Sequence, residues 1–144
     1  MIQLRNRTVA LNHTVTDLNY QKFALDQHSI VSITDVDGKI IYVNDRFTEV
    51  SQFSREELLG QDHRIINSEY HPKSFFKGMW LTISQGKVWH GMIKNHNKDG
   101  GEYWVESSIV PFMDSAGKPY QYVSIRTDIT EHKALEEALL HEKE

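Results

Sequence analysis

The 144-residue sequence contains no cysteine, and that absence removes several kinds of chemistry. A disulfide scaffold, a thiolate metal site, a cysteine nucleophile and a thiol adduct to a cofactor all need a residue that this chain lacks. Disulfides are rare in the reducing cytoplasm, and the cytoplasm is the localisation that we expect for a chain without cysteine. The length remains sufficient for one domain with its own core and some additional helix.

The sequence also lacks concentrated basic charge and long apolar runs. Its formal net charge is −4, whereas a surface for duplex nucleic acid needs clustered lysine and arginine. No apolar segment approaches the length that spans a bilayer, and the polar N-terminus MIQLRNRTVALNH has no secretory apolar stretch. We therefore expect an ordinary globular domain, 39% hydrophobic, that contacts neither nucleic acid nor membrane.

Recognisable catalytic and metal-binding motifs are missing too. The eight histidines include no HxH or HxxxH pair, so the sequence contains no local metal clip. Serine, histidine and aspartate are scattered without a nucleophile elbow or a phosphate-binding loop. We predict that this stretch of chain is not an enzyme and holds no metal.

The first half of the chain predicts a hairpin followed by short helices. Residues 17–27 have loosely helical apolar spacing and predict a helix leading into the domain. The β-branched runs IVSITDV and KIIYVN flank Asp37-Gly38, a strong hairpin signal because glycine adopts positive φ without strain. Short helices are expected after Asn44, where residues 54–57 form a capping box and Gly60 is a natural stop.

The second half predicts one longer helix and three strands. Between Pro72 and Gly86 the apolar residues recur at spacings of three and four, in a stripe of Phe75, Phe76, Met79, Trp80 and Ile83. The runs VWHGMIKNHN, EYWVESSIVPF and YQYVSIRTDIT predict strands, and residues 131–144 predict a final helix. Two strands, several helices and three strands predict an α/β fold of the α+β kind, an antiparallel sheet with helices against one face.

Six segments of the chain also form a recognisable series. They are SITDVDGKIIYVNDRF, FSREELLGQDHRII, HPKSFF with the following MW, GKVWHGMIKNHNKDG, YWV with VPF, and the closing TDIT. Together they resemble a PAS domain with its PAC segment over residues 29–130, which leaves 1–28 as a leading helix or cap and 131–144 as the start of a signalling helix. The sequence is similar above all to the PAS domains of bacterial aerotaxis receptors and of the redox regulator of nitrogen fixation, which bind FAD noncovalently.

The resemblance implies a PAS fold, in which short helices and one longer helix enclose a pocket over one face of a five-stranded antiparallel sheet. It implies a sensory input domain of a bacterial signalling protein, which binds FAD and senses redox state or oxygen. Similar modules precede histidine kinases and diguanylate cyclases, so the full-length protein could be either enzyme. The signal would leave through Asp128, Ile129 and Thr130 into a C-terminal output domain, within a homodimer joined by the flanking helices.

Two other functions stay open. One is a ligand-free module for dimerisation or docking, whose pocket is filled by side chains. The residues bulky enough to fill it are Phe75, Phe76, Met79, Trp80, Tyr103 and Trp104. The other is a receptor for a small metabolite, which the same pocket would suit.

Asn95, Trp80 and Trp89 are the first candidates for contact with a flavin. The strand GMIKNHN places Asn95 on one face with Gly91 and Ile93, and an amide that donates and accepts matches the polar edge of the ring. The resemblance aligns Asn95 with an asparagine at the flavin edge and Trp80 with a tryptophan at the FAD site. Each has a structural alternative, a turn hydrogen bond for Asn95 and core packing for the tryptophans. Core packing is the favoured interpretation of both Trp80 and Trp89.

Arg126 is an unusual residue for a strand interior. Alternation in YQYVSIRTDIT puts it on one face with Tyr122 and Ser124, where similar light-sensing domains place a glutamine that faces the flavin. A buried arginine must be paired, because an isolated buried charge is very costly. Asp35, Asp62 or a cofactor phosphate or carbonyl could pair with it, and a structural ion pair is the favoured interpretation.

Ser32, His63 and Asn67 align near the family pocket, although a local hydrogen bond in a loop or to the backbone is the favoured interpretation of each. Haem ranks below flavin as the cofactor, because haem PAS domains often take an axial histidine from the long helix and the stretch from Pro72 to Gly86 contains none. The photochemistry of the light-sensing branch needs a reactive cysteine and is excluded.

Overall fold

The structure of the protein, a computed structural model, describes residues 28–143, so the helix predicted at 17–27 lies outside the described residues. Five strands form one antiparallel sheet in the order β2-β1-β5-β4-β3. The strands are β1 Ile30–Thr34, β2 Ile40–Val43, β3 Trp89–His96, β4 Glu102–Met113 and β5 Pro119–Asp128. The chain closes the middle of the sheet by pairing its first strand with its last, and this confirms the predicted antiparallel fold.

The hairpin between β1 and β2 forms at the predicted position. The carboxylate of Asp35 accepts hydrogen bonds from the backbone N–H groups of Asp37 and Lys39, each at 2.9 Å. Gly38 has a φ of +86°, a conformation that glycine adopts readily and other residues resist. Gly38 therefore lies in the turn as the sequence predicts, but the aspartate whose side chain holds the turn is Asp35 and not the predicted Asp37.

The helices lie between β2 and β3 and after β5. They are α1 Asp45–Ser51, α2 Arg55–Leu58, the 3-10 helix His63–Ile66, α3 Lys73–Ser84 and α4 Thr130–Lys143. Asn44 caps α1 by accepting from the Phe47 N–H, and Ser54 and Glu57 form the predicted capping box of α2. Because α1, α2 and the 3-10 helix each start at a residue whose side chain accepts from a free N–H group, their N-terminal boundaries follow from local sequence.

The core fills the space between the helices and one face of the sheet. It contains Ile30, Ile40, Val43, Phe47, Leu58, Ile66, Ile93, Tyr103 and Val105, with a second group of Met79, Ile83, Ile109 and Tyr122 under α3. On α3, Ile83 is 1% exposed while Leu81 is 62% exposed, so the apolar stripe predicted for this helix faces the sheet.

The described residues contain neither a membrane-spanning helix nor a cluster of metal-binding side chains. Within residues 28–143, no helix has both the length and the apolar character that crossing a membrane requires. The same range contains no group of three or more histidine, aspartate or glutamate side chains arranged to hold a metal ion.

Candidate functional site

A cavity of about 660 Å³ lies between the inner face of the sheet, α3 and the 3-10 helix. This volume falls within the range of about 300–1,000 Å³ that small-molecule sites occupy. Its apolar walls come from the helices and from β3 and β4, through Ile66, Phe76, Met79, Ile83, Ile93 and Ile109. The cavity therefore has apolar walls on these sides and the size that an organic ligand needs.

The polar wall of the cavity follows from strand alternation. On β5, Tyr122, Ser124 and Arg126 are buried and line the cavity, while their neighbours point to the other face. On β3, Ile93 and Asn95 line it in the same way. The period of two that the sequence displays in these segments thus places four polar groups on the inner face, the Asn95 amide, the Tyr122 and Ser124 hydroxyls and the Arg126 guanidinium.

Arg126 lies deepest among the charged residues of the cavity and is 4% exposed. Its guanidinium donates to Ser32 Oγ and to the ring of His63, both at 3.3 Å, and its central carbon lies 5.5 Å from the ring centre of Phe47. All of these partners are uncharged groups. The cation is consequently held in place without being neutralised.

The prediction that Arg126 forms a structural ion pair with Asp35 or Asp62 is wrong. Among residues 28–143, the ion pairs of the structure include none with Arg126. The carboxylate of Asp35 is bound to turn N–H groups, and that of Asp62 accepts from the N–H of Arg64 at 2.8 Å as it starts the 3-10 helix. Both acids are used to build local structure, which sequence spacing alone did not reveal.

His63 bridges the arginine and the serine. Its Nε2 lies 3.2 Å from Ser32 Oγ, and its ring accepts from Arg126. We assign a neutral imidazole with the proton on Nε2, because this tautomer donates to the serine and accepts from the guanidinium at Nδ1. Burial, and next the charge of Arg126, hold the pKa of His63 well below its ordinary value. His63 is partly buried and belongs to the lining of the cavity.

The arginine itself keeps its charge. Burial lowers the pKa of Arg126 to about 10, and the nearby Tyr103 acts in the opposite direction. A guanidinium with that pKa remains protonated at neutral pH. Three side chains therefore form a fixed unit of one positive charge, one neutral imidazole and one hydroxyl, with Arg126 and His63 on the cavity wall.

Asn95 and Asn67 meet at the edge of the cavity. Asn95 is 4% exposed, and the two residues form an isolated antiparallel bridge that joins the 3-10 helix to β3. Asn95 lies directly opposite Tyr103 in the register of β3 and β4. Burial raises the pKa of Tyr103 to about 12, so the phenol is neutral. Both asparagines line the cavity, as the alignment predicts.

Trp80 lines the cavity from α3 and is 38% exposed. Its ring packs edge-on against Tyr122, with 5.7 Å between ring centres, and it covers Gly38, where an added Cβ would lie 3.0 Å from the indole. The tryptophan thus spans the mouth between the hairpin and β5.

Two of the predicted contact residues lie behind the cavity wall. Ser32 is fully buried and reaches the cavity through His63 and Arg126. Trp89 is outside the lining, and its ring packs against Phe75 and covers Gly91, where an added Cβ would clash with the indole. Core packing therefore accounts for Trp89.

Trp104 does not fill the pocket, contrary to the ligand-free alternative. Its neighbours Tyr103 and Val105 on β4 are buried on the inner face, so alternation turns Trp104 outward. There Lys94 and Lys133 lie over its ring, at 5.8 and 5.2 Å from the centre. Trp104 therefore contacts the final helix α4 through Lys133.

The predicted relay residues form the corner between β5 and α4. The Ile129 N–H donates to the Trp104 carbonyl at 2.9 Å, and the Trp104 N–H donates to Thr130 Oγ1 at 3.0 Å. Asp128 accepts from the Thr130 hydroxyl and backbone N–H. The beginning of α4 is therefore bonded to the residue next to Tyr103.

Sequence reasoning missed the charged residues at the mouth. Arg64, Lys73 and Lys77 line it together with Asp37 and Asp62. A usable signal was present, because Lys73 and Lys77 are four residues apart on the helix that carries Trp80, and residues at that spacing share a face.

These features suit a flavin. A flat ring with a polar edge fits between apolar walls that carry Asn67, Asn95 and Arg126, and an anionic phosphate tail fits beside lysines at the mouth. Arg126 is a buried cation with no carboxylate partner among residues 28–143, and it is the feature that most needs a ligand, since uncompensated buried charge is costly.

Comparison with known proteins agrees with this geometry. The PAS domain family matches residues 27–131. The chain is 39% identical to the aerotaxis receptor of Escherichia coli K12 over 75% of its length and 21% of the receptor. It is 33% identical to the nitrogen fixation regulatory protein of Klebsiella oxytoca over 80% of its length and 23% of the regulator. The chain thus spans about a fifth of the length of these curated relatives.

Solved structures share the fold. An RNA-binding light-oxygen-voltage receptor matches with a TM-score of 0.71 and 22% identity, over 78% of this chain and 33% of that one. A PAS domain of a protein from Colwellia psychrerythraea matches with a TM-score of 0.65 and 28% identity, over 79% of this chain and 98% of that one.

Proposed function

We propose that this chain, which belongs to the PAS domain family, is a sensory domain that binds FAD noncovalently in its cavity and responds to redox state or oxygen. The observation that carries the proposal is the cavity itself, with apolar walls, amide groups at one edge and a buried cation. Two similar proteins, an aerotaxis receptor and a nitrogen fixation regulatory protein, support a redox signal.

Asn95 and Trp80 are the proposed contacts of the ring. A flavin, when bound, supplies reversible redox chemistry in which a ring nitrogen changes from hydrogen-bond acceptor to donor. The amide of Asn95 can form a hydrogen bond with either redox state of the ring, because one side chain offers an acceptor oxygen and a donor nitrogen. Trp80 offers a flat surface and one N–H donor at the mouth.

The route from the cavity to the final helix is short. Asn95 lies opposite Tyr103 in the register of β3 and β4, and the backbone of the next residue, Trp104, is bonded to Ile129 and Thr130. A rotation of the Asn95 amide would change its contact with the facing residue Tyr103 and so bias the hydrogen bonds between β4 and the start of α4. We propose that Asp128, Ile129 and Thr130 relay the signal at that corner.

The partner is proposed to be a second copy of the chain, with an output segment following α4. PAS domains commonly dimerise and sit in multidomain signalling proteins. On α4, Leu135 and Leu139 are 60% and 50% exposed and share a face at a spacing of four. Pairing of two α4 helices would bury these side chains.

The visible absorption spectrum of the purified chain, before and after saturation with FAD, tests the ligand. We expect a flavin spectrum that persists after gel filtration. Asn95→Ala is expected to weaken FAD binding by about tenfold, because a buried hydrogen-bonding edge is lost. Trp80→Phe should weaken it less, because a flat ring remains.

Matched controls are available on the same elements. Met92→Ala changes an exposed residue on the outer face of β3, and Leu81→Ala changes an exposed residue of α3. Both should bind FAD like the unaltered chain. A chain that stays colourless after FAD addition would refute the proposal and leave docking or metabolite binding, whereas full binding by the Asn95 and Trp80 variants would refute the site.

A further inference from the structure

The charge of Arg126 has no counter-charge in the described part of the chain. The side chain is 4% exposed and bonds to a serine hydroxyl and a neutral imidazole. No carboxylate among residues 28–143 forms an ion pair with it. A ligand that carries negative charge to this point would gain a charge-assisted hydrogen bond and relieve a buried, uncompensated cation.

The cavity has two separate cationic regions. Lys73 and Lys77 are exposed residues of α3 and lie with Arg64 at the mouth, where water and two acidic neighbours weaken their effect. Arg126 lies inside. The anionic phosphates of FAD would therefore lie beside the cations at the mouth. Arg126, inside the cavity, would then face the polar edge of the flavin ring.

We propose that Arg126 makes the cavity bind the reduced, anionic flavin ring more tightly than the oxidised, neutral ring. This inference rests on the proposed binding of FAD. Two electrons from an external reductant and one proton at a ring nitrogen leave the ring with one negative charge, on its dione edge. The guanidinium forms a full charge pair with that edge in the reduced state and an ordinary hydrogen bond in the oxidised state.

Ser32 and His63 act as positioning residues in this scheme. Together they hold the two terminal nitrogens of the guanidinium at 3.3 Å. Because both are neutral, they neither cancel the arginine charge nor compete for the ligand. The protein thereby holds the positive charge of Arg126 in a fixed direction, and no carboxylate of the described residues neutralises it.

The test compares the affinity of the chain for oxidised FAD and for FAD reduced with dithionite under anaerobic conditions. The unaltered chain should bind the reduced form more tightly, so that the midpoint potential of the bound flavin lies above that of free FAD. Arg126→Gln should reduce this preference by about tenfold, which lowers the midpoint potential by about 30 mV for a two-electron couple.

Two further variants make the test specific. Arg126→Lys keeps the charge and should retain most of the preference for reduced FAD. Arg46→Gln removes an equal charge from α1, outside the cavity lining, and should retain all of it. Circular dichroism checks that each variant is folded.

The outcomes separate this inference from the function on which it rests. If FAD binds in neither redox state, both are overturned. If FAD binds and Arg126→Gln leaves the ratio of the two affinities unchanged, the role of Arg126 alone is overturned. Tighter binding of the oxidised form by the unaltered chain would overturn it as well, without reference to any variant.

Discussion

The buried imidazole of His63 makes the stability of the ligand-free domain depend on pH. In the folded chain the ring accepts from Arg126 and lies beside Phe47, with 6.0 Å between ring centres. Burial and the neighbouring guanidinium keep its pKa well below the ordinary value, so the ring stays neutral as the pH falls. In the unfolded chain the same ring takes up a proton near pH 6.5.

The sign and size of the effect follow from this difference. Below about pH 6.5 the unfolded state binds one more proton than the folded state, so stability falls as the pH falls. For an unfolded pKa of about 6.5, one such group lowers the free energy of unfolding by up to about 1.4 kcal/mol between pH 7.5 and pH 5.5. At pH 7.5 and above the contribution is close to zero.

Urea unfolding at pH 7.5, 6.5 and 5.5 measures the effect, with His63→Gln as the perturbation. Glutamine offers one donor for Ser32 and one acceptor for Arg126 but does not titrate. The unaltered chain should therefore lose about 1.4 kcal/mol more than the variant on acidification. Ser32→Ala is the control, because it removes a hydrogen bond and leaves the burial of His63 and its arginine neighbour in place. It should be less stable at every pH and keep the slope of the unaltered chain.

An identical pH dependence for the unaltered chain and His63→Gln would refute the reasoning. It would mean that the folded domain admits a proton at His63 as readily as the unfolded chain does. The neutral tautomer assigned beside Arg126 would then be incorrect, and the arginine could not be the sole charge of the inner cavity.

Three other predictions concern the frame of the site. Ile83→Ala removes a fully buried side chain of α3 and should lower the free energy of unfolding by about 2–4 kcal/mol. Leu81→Ala, on the exposed side of the same helix, should change it by less than about 0.5 kcal/mol. Equal effects of the two variants in chemical denaturation would contradict the packing described. Gly38→Ala must adopt a φ of +86° with its Cβ 3.0 Å from the Trp80 ring, so a loss of about 1–2 kcal/mol and altered tryptophan fluorescence are expected; unchanged stability would show that the turn relaxes. Thr130→Val removes the hydroxyl that accepts from the β4 backbone and should increase amide hydrogen exchange at the start of α4, at a cost of about 1 kcal/mol; protection equal to that of the unaltered chain would argue against this corner as a relay.

Local signals in the sequence determined the elements of the fold. The capping box at Ser54, the glycine turn at Gly38 and the apolar stripe that ends at Ile83 each act within a few residues, and each stands where it was predicted. Alternation likewise placed Asn95 and Arg126 on the inner face, since the period of a strand is a property of the backbone.

The sequence by itself therefore determined the antiparallel sheet, the long helix and the face on which the candidate residues lie, because these depend on short-range geometry. Only the tertiary structure decided which groups meet. It joined Arg126 to Ser32, 94 positions away, and to His63 rather than to an aspartate, and it turned Trp104 outward toward α4. Pairings of that kind depend on strand order and on which side chains already serve their own turns and caps, and neither is written in the spacing of residues along the chain.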